Sequence, residues 1–258
     1  MADAPLTILC TNDDGINAEG ILVLEEMAHA LTDDVWTVAP ETEQSGASHS
    51  LSLANPLRLR RISERRFAVH GTPSDSVLMA VRKVMPKPPD LVISGVNRGQ
   101  NLADDVTYSG TIAAAMEGTA LGFRSIAFSQ TYGVHSEGRL RWDVAKAHGP
   151  RLLQQLAGIE LGPGVLLNVN FPDCEPIEVE GVEVTRQGKR DQNQLYVDER
   201  RDARGVPYFW LGFKRESSNP AAGTDLRAVF DKRISVSPLH MNLTQVEAME
   251  ALRVRLQG

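Results

Sequence analysis

Short apolar runs alternate with amphipathic stretches along most of the chain. Runs of this length predict buried strands of a parallel sheet. They cover residues 6–10, 35–39, 90–94, 125–129 and 165–169. After the first run, Asn17 can cap a helix whose apolar positions share one face, namely Ile21, Leu24, Ala28 and Leu31. Strands that alternate with helices in this way predict an α/β fold with a doubly wound, mostly parallel sheet.

Turn and cap residues add a hairpin and three helices to this outline. Residues 57–62 and 67–70 predict paired strands rich in arginine, a composition typical of a solvated face. Thr72-Pro73-Ser74-Asp75 predicts a helix start with a cap, a first-position proline and an acidic first turn. Two later helices are predicted over residues 109–122 and 139–156. The second would be interrupted at Gly149-Pro150.

Beyond about residue 175 the pattern changes to polar–apolar alternation. Residues 182–185, 195–197 and 206–213 predict antiparallel hairpins, the last with aromatic side chains exposed to solvent. We therefore predict an α/β core at residues 1–175 and a C-terminal extension at residues 176–258. The extension either contacts another subunit or packs on its own chain.

A final helix is predicted from the capping box at residues 244–247. Its inward face would carry Val246, Met249 and Leu252.

Composition and charge narrow the class of protein. With 42% hydrophobic and 23% charged residues, the 258-residue chain resembles a soluble globular protein. The formal net charge of −6 argues against a partner that is a nucleic-acid polymer. The start of the sequence lacks a secretion signal and no run reaches membrane-spanning length, so we expect a cytoplasmic protein without membrane contact. Cys10 lies in a predicted strand and is expected to be a small apolar filler.

An acidic pair, Asp13-Asp14, directly follows the first predicted strand. Asp-Asp-Gly is also an ordinary turn sequence, so the tripeptide alone leaves both interpretations open. In open α/β sheets, however, ligands bind at the carboxyl ends of the strands. Loops with Ser45 and Asn97 leave other strands at the same edge. Carboxylate, hydroxyl and amide oxygens suit one Mg²⁺ or Mn²⁺ ion rather than zinc.

The helix start at Ser109-Gly110-Thr111 is a candidate anion cradle. Free N–H groups and the helix dipole favour phosphate at such an end, although capping alone also explains Ser109. The sequence has no phosphate-binding loop of the Gly-x-x-x-x-Gly-Lys type, no complete dinucleotide fingerprint, no His-Glu-x-x-His motif and no Gly-x-Ser-x-Gly elbow. A metal beside a phosphate site predicts phosphoryl chemistry.

Four separated motifs resemble those of the SurE family, the stationary-phase survival protein and nucleotidase. They are Asn12-Asp13-Asp14-Gly15, Gln44-Ser45-Gly46-Ala47, Ser94-Gly95-Val96-Asn97-Arg98-Gly99 and Tyr108-Ser109-Gly110-Thr111. The resemblance spans the chain and includes Gly71-Thr72-Pro73, Val184-Thr185-Arg186, Gly223-Thr224-Asp225 and Ser237-Pro238-Leu239.

The resemblance implies a metal-dependent phosphatase acting on nucleoside 5′- and 3′-monophosphates, with some members acting on short polyphosphate. It implies that Asp13, Asp14, Ser45 and Asn97 hold the ion. It also implies that Ser109, Gly110 and Thr111 contact phosphate, and we add Asn97 to these contacts. A Rossmann-like core and a C-terminal extension exchanged between subunits, in a homodimer or homotetramer, are implied as well.

Two roles are assigned by hypothesis. Asp13 is predicted to bind the metal and to orient or deprotonate the attacking water, with Asp14 mainly a ligand. The sequence offers no clear general acid, and His49 is the one candidate considered.

Two rival functions remain open at this point. A receiver-type signalling domain also binds magnesium at paired acidic residues, but Ser94 and Asn97 stand where its partner aspartate is needed. A non-catalytic nucleotide sensor would bind nucleotide with metal and release no phosphate.

Overall fold

The computed structural model describes residues 6–133, 140–190, 195–213 and 219–257. Its strands are β1 Ile8–Thr11, β2 Val35–Pro40, β3 Arg58–Arg61, β4 Arg66–His70, β5 Leu91–Arg98, β6 Arg124–Gln130, β7 Val165–Phe171, β8 Val182–Val184, β9 Leu195–Arg201, β10 Pro207–Phe213 and β11 Ile234–His240. Its helices are α1 Glu19–His29, α2 Pro73–Met79, α3 Gly110–Ala120, α4 Asp143–Ala157, α5 Asp225–Phe230 and α6 Val246–Gln257. Within the described residues, no helix is long and apolar enough to cross a bilayer.

A nine-stranded sheet forms the centre of the molecule, in the order β3-β4-β2-β1-β5-β6-β7-β11-β8. The neighbouring strands from β4 to β7 are all parallel. β3 and β11 each pair antiparallel with the strand on their inner side. The predicted doubly wound, mostly parallel α/β sheet is thus confirmed.

Helices cover both faces of this sheet. α1 and α4 pack on one face through a cluster that includes Leu24, Met27 and Leu153, all of them without solvent exposure. α2 and α3 pack together on the other face, around Val77 and Ala114. The chain leaves β1 toward β2 on one side and later returns to β5 on the other side. The sheet therefore has its topological switch point between β1 and β5.

Local signals explain where several elements begin. Thr72 accepts from the backbone N–H of Asp75 and the Asp75 carboxylate accepts from the N–H of Thr72, so α2 has the predicted capped start. The predicted role of Asn17 was wrong. α1 begins at Glu19 after Ala18, and no side chain caps it. Asn12 instead forms a turn with Gly15, which brings the chain out of β1 before the helix starts.

α4 differs from its prediction in both start and continuity. It begins at Asp143 and runs through Pro150 without a break; Arg139, the predicted first residue, lies outside the described residues. At Gly149, α4 packs closely on α1, where an added Cβ would lie 2.7 Å from the sulfur of Met27. Tertiary contact of this kind overrides a local helix breaker.

The region beyond residue 175 is only partly the hairpin array that was predicted. β9 and β10 do form an antiparallel pair, separate from the main sheet. Residues 182–185 were wrongly assigned to a hairpin, since β8 pairs parallel with β11 at the edge of the main sheet. The inward face predicted for α6 was also wrong, because no residue of that helix is buried in the single chain. The division into residues 1–175 and 176–258 stays a prediction.

Candidate functional site

The acidic pair lies at the switch point of the sheet. Asp13 and Asp14 directly follow β1, and Asn97 lies near the end of β5, the parallel neighbour of β1. The backbone N–H of Arg98 donates to Asp14 Oδ2 at 3.0 Å, which ties the two strand ends together. Parallel pairing therefore brings three of the four predicted ligand residues, Asp13, Asp14 and Asn97, to one crevice.

Asp13 is held firmly in place. The residue is 4% exposed, and the Thr111 hydroxyl donates to its Oδ1. The other oxygen, Oδ2, faces the start of α3, because a Cβ on Gly110 would lie only 2.9 Å from it. The carboxylate is thus packed directly against the N-terminus of a helix, where a side chain larger than hydrogen at position 110 would collide with it.

Burial makes the negative charge of the acidic pair costly. Desolvation, followed by repulsion from Asp14, raises the pKa of Asp13 from its ordinary 3.8 to about 7. Desolvation also raises the pKa of Asp14, opposed by the hydrogen bond from the Arg98 N–H, while the charge of Glu43 raises it further. A positive charge between these carboxylates would stabilise their ionised forms.

The loop after β2 approaches the acidic pair through its backbone. The Gln44 N–H donates to the Asp13 carbonyl at 2.8 Å. Ser45, the next residue, is exposed, and its hydroxyl donates to a carboxylate oxygen of Glu43 at 2.8 Å. The structure therefore places Ser45 beside the site while its hydroxyl is engaged by Glu43.

The remaining predicted residues form the N-terminus of α3 and the end of β5. Ser109 caps α3 as predicted, accepting from the Ile112 N–H at 3.1 Å. Gly110 and Thr111 are buried in its first turn. Asn97 is half-buried, and its amide donates to the Gly99 carbonyl at 2.8 Å, which leaves the side-chain oxygen as the atom available to a cation.

The donor set fits a hard divalent cation better than a soft one. Among the described residues, no group of three or more His, Cys, Asp or Glu side chains is suited to a metal. A site here would therefore combine the two carboxylates with the Asn97 amide and the Ser45 hydroxyl, all of them oxygen donors.

His49, considered above as a general acid, lies elsewhere. Its Nε2 is 2.9 Å from Oε2 of Glu117, a buried residue in the second turn of α3. The imidazole is thus held beside the middle of the helix rather than at its N-terminus.

Sequence reasoning missed a buried amide cluster behind the site. Asn168 and Asn170 both donate to the Asn101 carbonyl, and Asn170 Oδ1 accepts from the Asn101 N–H at 2.8 Å. The Asn101 amide donates to Ser129 at 2.9 Å. This cluster fixes the loop between β5 and α3. Two asparagines on one face of an otherwise apolar strand were the available signal.

Asp225 in the C-terminal region, which belongs to the Gly223-Thr224-Asp225 motif but was given no role from the sequence, is fully buried. Its carboxylate accepts from the N–H groups of Ala103 and Gly188, each at 2.8 Å. Asp225 therefore joins the loop before α3 to the segment after β8.

Comparisons with known proteins find similarity in both sequence and fold. A family model described as Survival protein SurE matches residues 8–194. The 5′-nucleotidase SurE of Parvibaculum lavamentivorans is 59% identical over 248 residues, covering 96% of this chain and 90% of that protein. The 5′-nucleotidase SurE of Methylorubrum extorquens strain PA1 is 59% identical over 240 residues, covering 93% and 94%. The crystal structure of a SurE protein from Aquifex aeolicus has a TM-score of 0.81 at 37% identity and covers 96% of this chain and 98% of that one.

Proposed function

Because the chain belongs to the SurE family, we propose that it hydrolyses nucleoside 5′- and 3′-monophosphates with one divalent metal ion, Mg²⁺ or Mn²⁺, per subunit. The family predicted from the four motifs is confirmed, and the chain is a hydrolase of the 5′-nucleotidase class. The observation that carries the finer proposal is the packing of buried Asp13 against the N-terminus of α3. That contact would place the proposed cation site next to the proposed phosphate site.

Asp13, Asp14, Ser45 and Asn97 are the proposed ligands. When bound there, the ion supplies charge neutralisation for phosphate oxygens and makes water more acidic. The burial of the two carboxylates supports this assignment, since desolvation raises their pKa values and a bound cation would favour their ionised forms.

The phosphate group is proposed to lie at Ser109, Gly110 and Thr111, with Asn97 on the opposite side. The first N–H groups of α3 lack partners within the helix and favour an anion. Asp13 Oδ2 lies next to Gly110, so it can orient the attacking water and accept its proton. Thr111 keeps this carboxylate oriented by donating to its other oxygen.

A substrate panel tests the proposal directly. AMP, GMP, 3′-AMP and short polyphosphate should be incubated with the purified chain and with Mg²⁺ or Mn²⁺ in turn. We expect inorganic phosphate from the nucleotides, and no turnover after chelation until a metal is restored. Activity that survives chelation would contradict the metal role. A stable aspartyl phosphate from a small phosphodonor would favour the receiver function, and nucleotide binding without phosphate release would favour the sensor.

The C-terminal hairpin and α6 are proposed to join subunits in a homodimer or homotetramer. Phe209, Trp210 and Leu211 on β10 are 58%, 60% and 73% exposed, and Leu252, Val254 and Leu256 on α6 are exposed as well. Apolar surface of this extent is typical of an interface. Sedimentation should give a mass of two or four times the 28.2 kDa chain mass. Trp210→Asp should shift the protein to a smaller number of subunits. A wild-type chain that sediments as a monomer would contradict this proposal.

The cytoplasmic location stays a prediction.

A further inference from the structure

A cavity of about 320 Å³ runs along α3, beginning at its cap. On the helix side it is lined by Ser109, Ala113 and Met116. These residues follow at intervals of four and three, so they share one face of the helix. At a rise of about 1.5 Å per residue, the cavity extends roughly 10 Å from the phosphate end of α3 toward its middle.

The inner part of this cavity is apolar. Val106 and Leu239 line it and belong to a buried cluster, against which Met116 and Met241 pack. The two methionines come from different elements, Met116 from α3 and Met241 from the segment directly after β11, and both line the cavity. Unbranched, polarisable methionine side chains adapt to flat aromatic groups and make favourable sulfur–aromatic contacts.

The rim of the cavity is polar. Ser48 and His49 line one side, where the Ser48 hydroxyl donates to the Thr107 carbonyl at 2.8 Å. The His49 ring is held by Glu117, as described above. An apolar interior with a few fixed polar groups at the mouth is the usual construction of a small-molecule pocket, and the volume is of the usual size.

We propose that this cavity, here called the α3 slot, receives the nucleoside part of the substrate. Phosphate then lies at Ser109, and the base lies against Met116 and Met241. The inference rests on the proposed nucleotidase function and deepens it. Continuity carries the argument, because Ser109 belongs both to the proposed phosphate cradle and to the wall of the slot. His49, at the side of the slot, is placed to contact the nucleoside rather than to protonate the leaving oxygen.

The test compares a substrate that has a base with one that has none. For the wild type and for Met116→Ala, kcat/KM is measured with AMP and with glycerol phosphate. Truncation of Met116 should lower the ratio of kcat/KM for AMP to kcat/KM for glycerol phosphate by about 10-fold or more. Only AMP has a base that can make the apolar contact. The matched control is Met79→Ala, a half-buried methionine that packs with the α2 cluster, and it should leave the ratio unchanged.

A second variant guards against loss of folding. Leu243 lines the slot and is 89% exposed, so Leu243→Ala removes no core contact. It should lower the same ratio by a smaller factor. An unchanged ratio in both variants, with a wild type that hydrolyses AMP, would overturn the slot assignment alone. A wild type that releases phosphate from neither ester would instead overturn the proposed function.

Discussion

Asp13→Asn is expected to lower kcat for AMP by at least about 10³-fold, measured as phosphate release at saturating metal and substrate. Asparagine retains an oxygen that can accept from Thr111, and it has nearly the same shape. It lacks the negative charge needed to hold a cation and to take a proton from water. The matched control is Asp33→Asn, an exposed carboxylate after α1, which should leave kcat unchanged. Near-normal turnover by Asp13→Asn would refute the proposed role.

The pH dependence of stability separates lost chemistry from lost folding in this variant. In metal-free protein, the pKa of Asp13 is raised from 3.8 to about 7, so the folded state holds a proton that the unfolded state has released. The free energy of unfolding therefore falls as pH rises from about 4 to about 7, by up to about 4 kcal/mol. In Asp13→Asn the side chain at position 13 does not titrate, so this fall in the free energy of unfolding is absent. By thermal unfolding in chelator, it should equal or exceed wild-type stability at about pH 8 and lose that advantage at about pH 4.

Gly110→Ala is expected to lower kcat/KM for AMP by about 10²-fold, because misplacement of a catalytic group by about 1 Å has an effect of that size. The added Cβ would lie 2.8 Å from Cβ and 2.9 Å from Oδ2 of Asp13. That carboxylate cannot move freely, since it is buried and bonded to Thr111. Steady-state kinetics and thermal unfolding of the purified variant provide the measurement.

The control for this substitution is Gly162→Ala. A Cβ on Gly162 would meet nothing within 4 Å, so both activity and stability should match the wild type. If the start of α3 were unconstrained, replacing Gly110 by alanine would stabilise the folded protein by about 0.5–1 kcal/mol. A Gly110→Ala variant that is more stable and fully active would show that the contact with Asp13 does not constrain the site.

The main sheet was predictable because each of its parallel strands carries a signal in its own residues. The apolar runs at β1, β2, β5, β6 and β7 are strands buried on both faces. A strand of this kind is a continuous apolar run, so it can be identified from its own residues without knowledge of the neighbouring strands. The pairing of β8 was not predictable in this way. A three-residue strand alternates like any edge strand, and only the distant β11 determines that it pairs parallel.

Much of the candidate site was predictable for a topological reason. Residues that directly follow parallel strands meet at one edge, so Asp13, Asp14 and Asn97 were expected together from their positions alone. The engagement of Thr111 by Asp13 and of Ser45 by Glu43 depends on side-chain direction, which the sequence does not carry. The α3 slot depends on Leu239 of β11 lining the same cavity as α3, and the sequence carries no local signal for this distant arrangement.

The link between Asp225 and Ala103 spans 122 positions of sequence. Every proposed metal and phosphate residue lies at or before position 111, in the first half of the polypeptide. A polypeptide ending shortly before Asp225 would hold all of those residues and still lack the carboxylate that anchors the loop leading into α3. Ordering of the proposed site is thus coupled to a residue that is synthesised after every residue proposed to bind metal or phosphate.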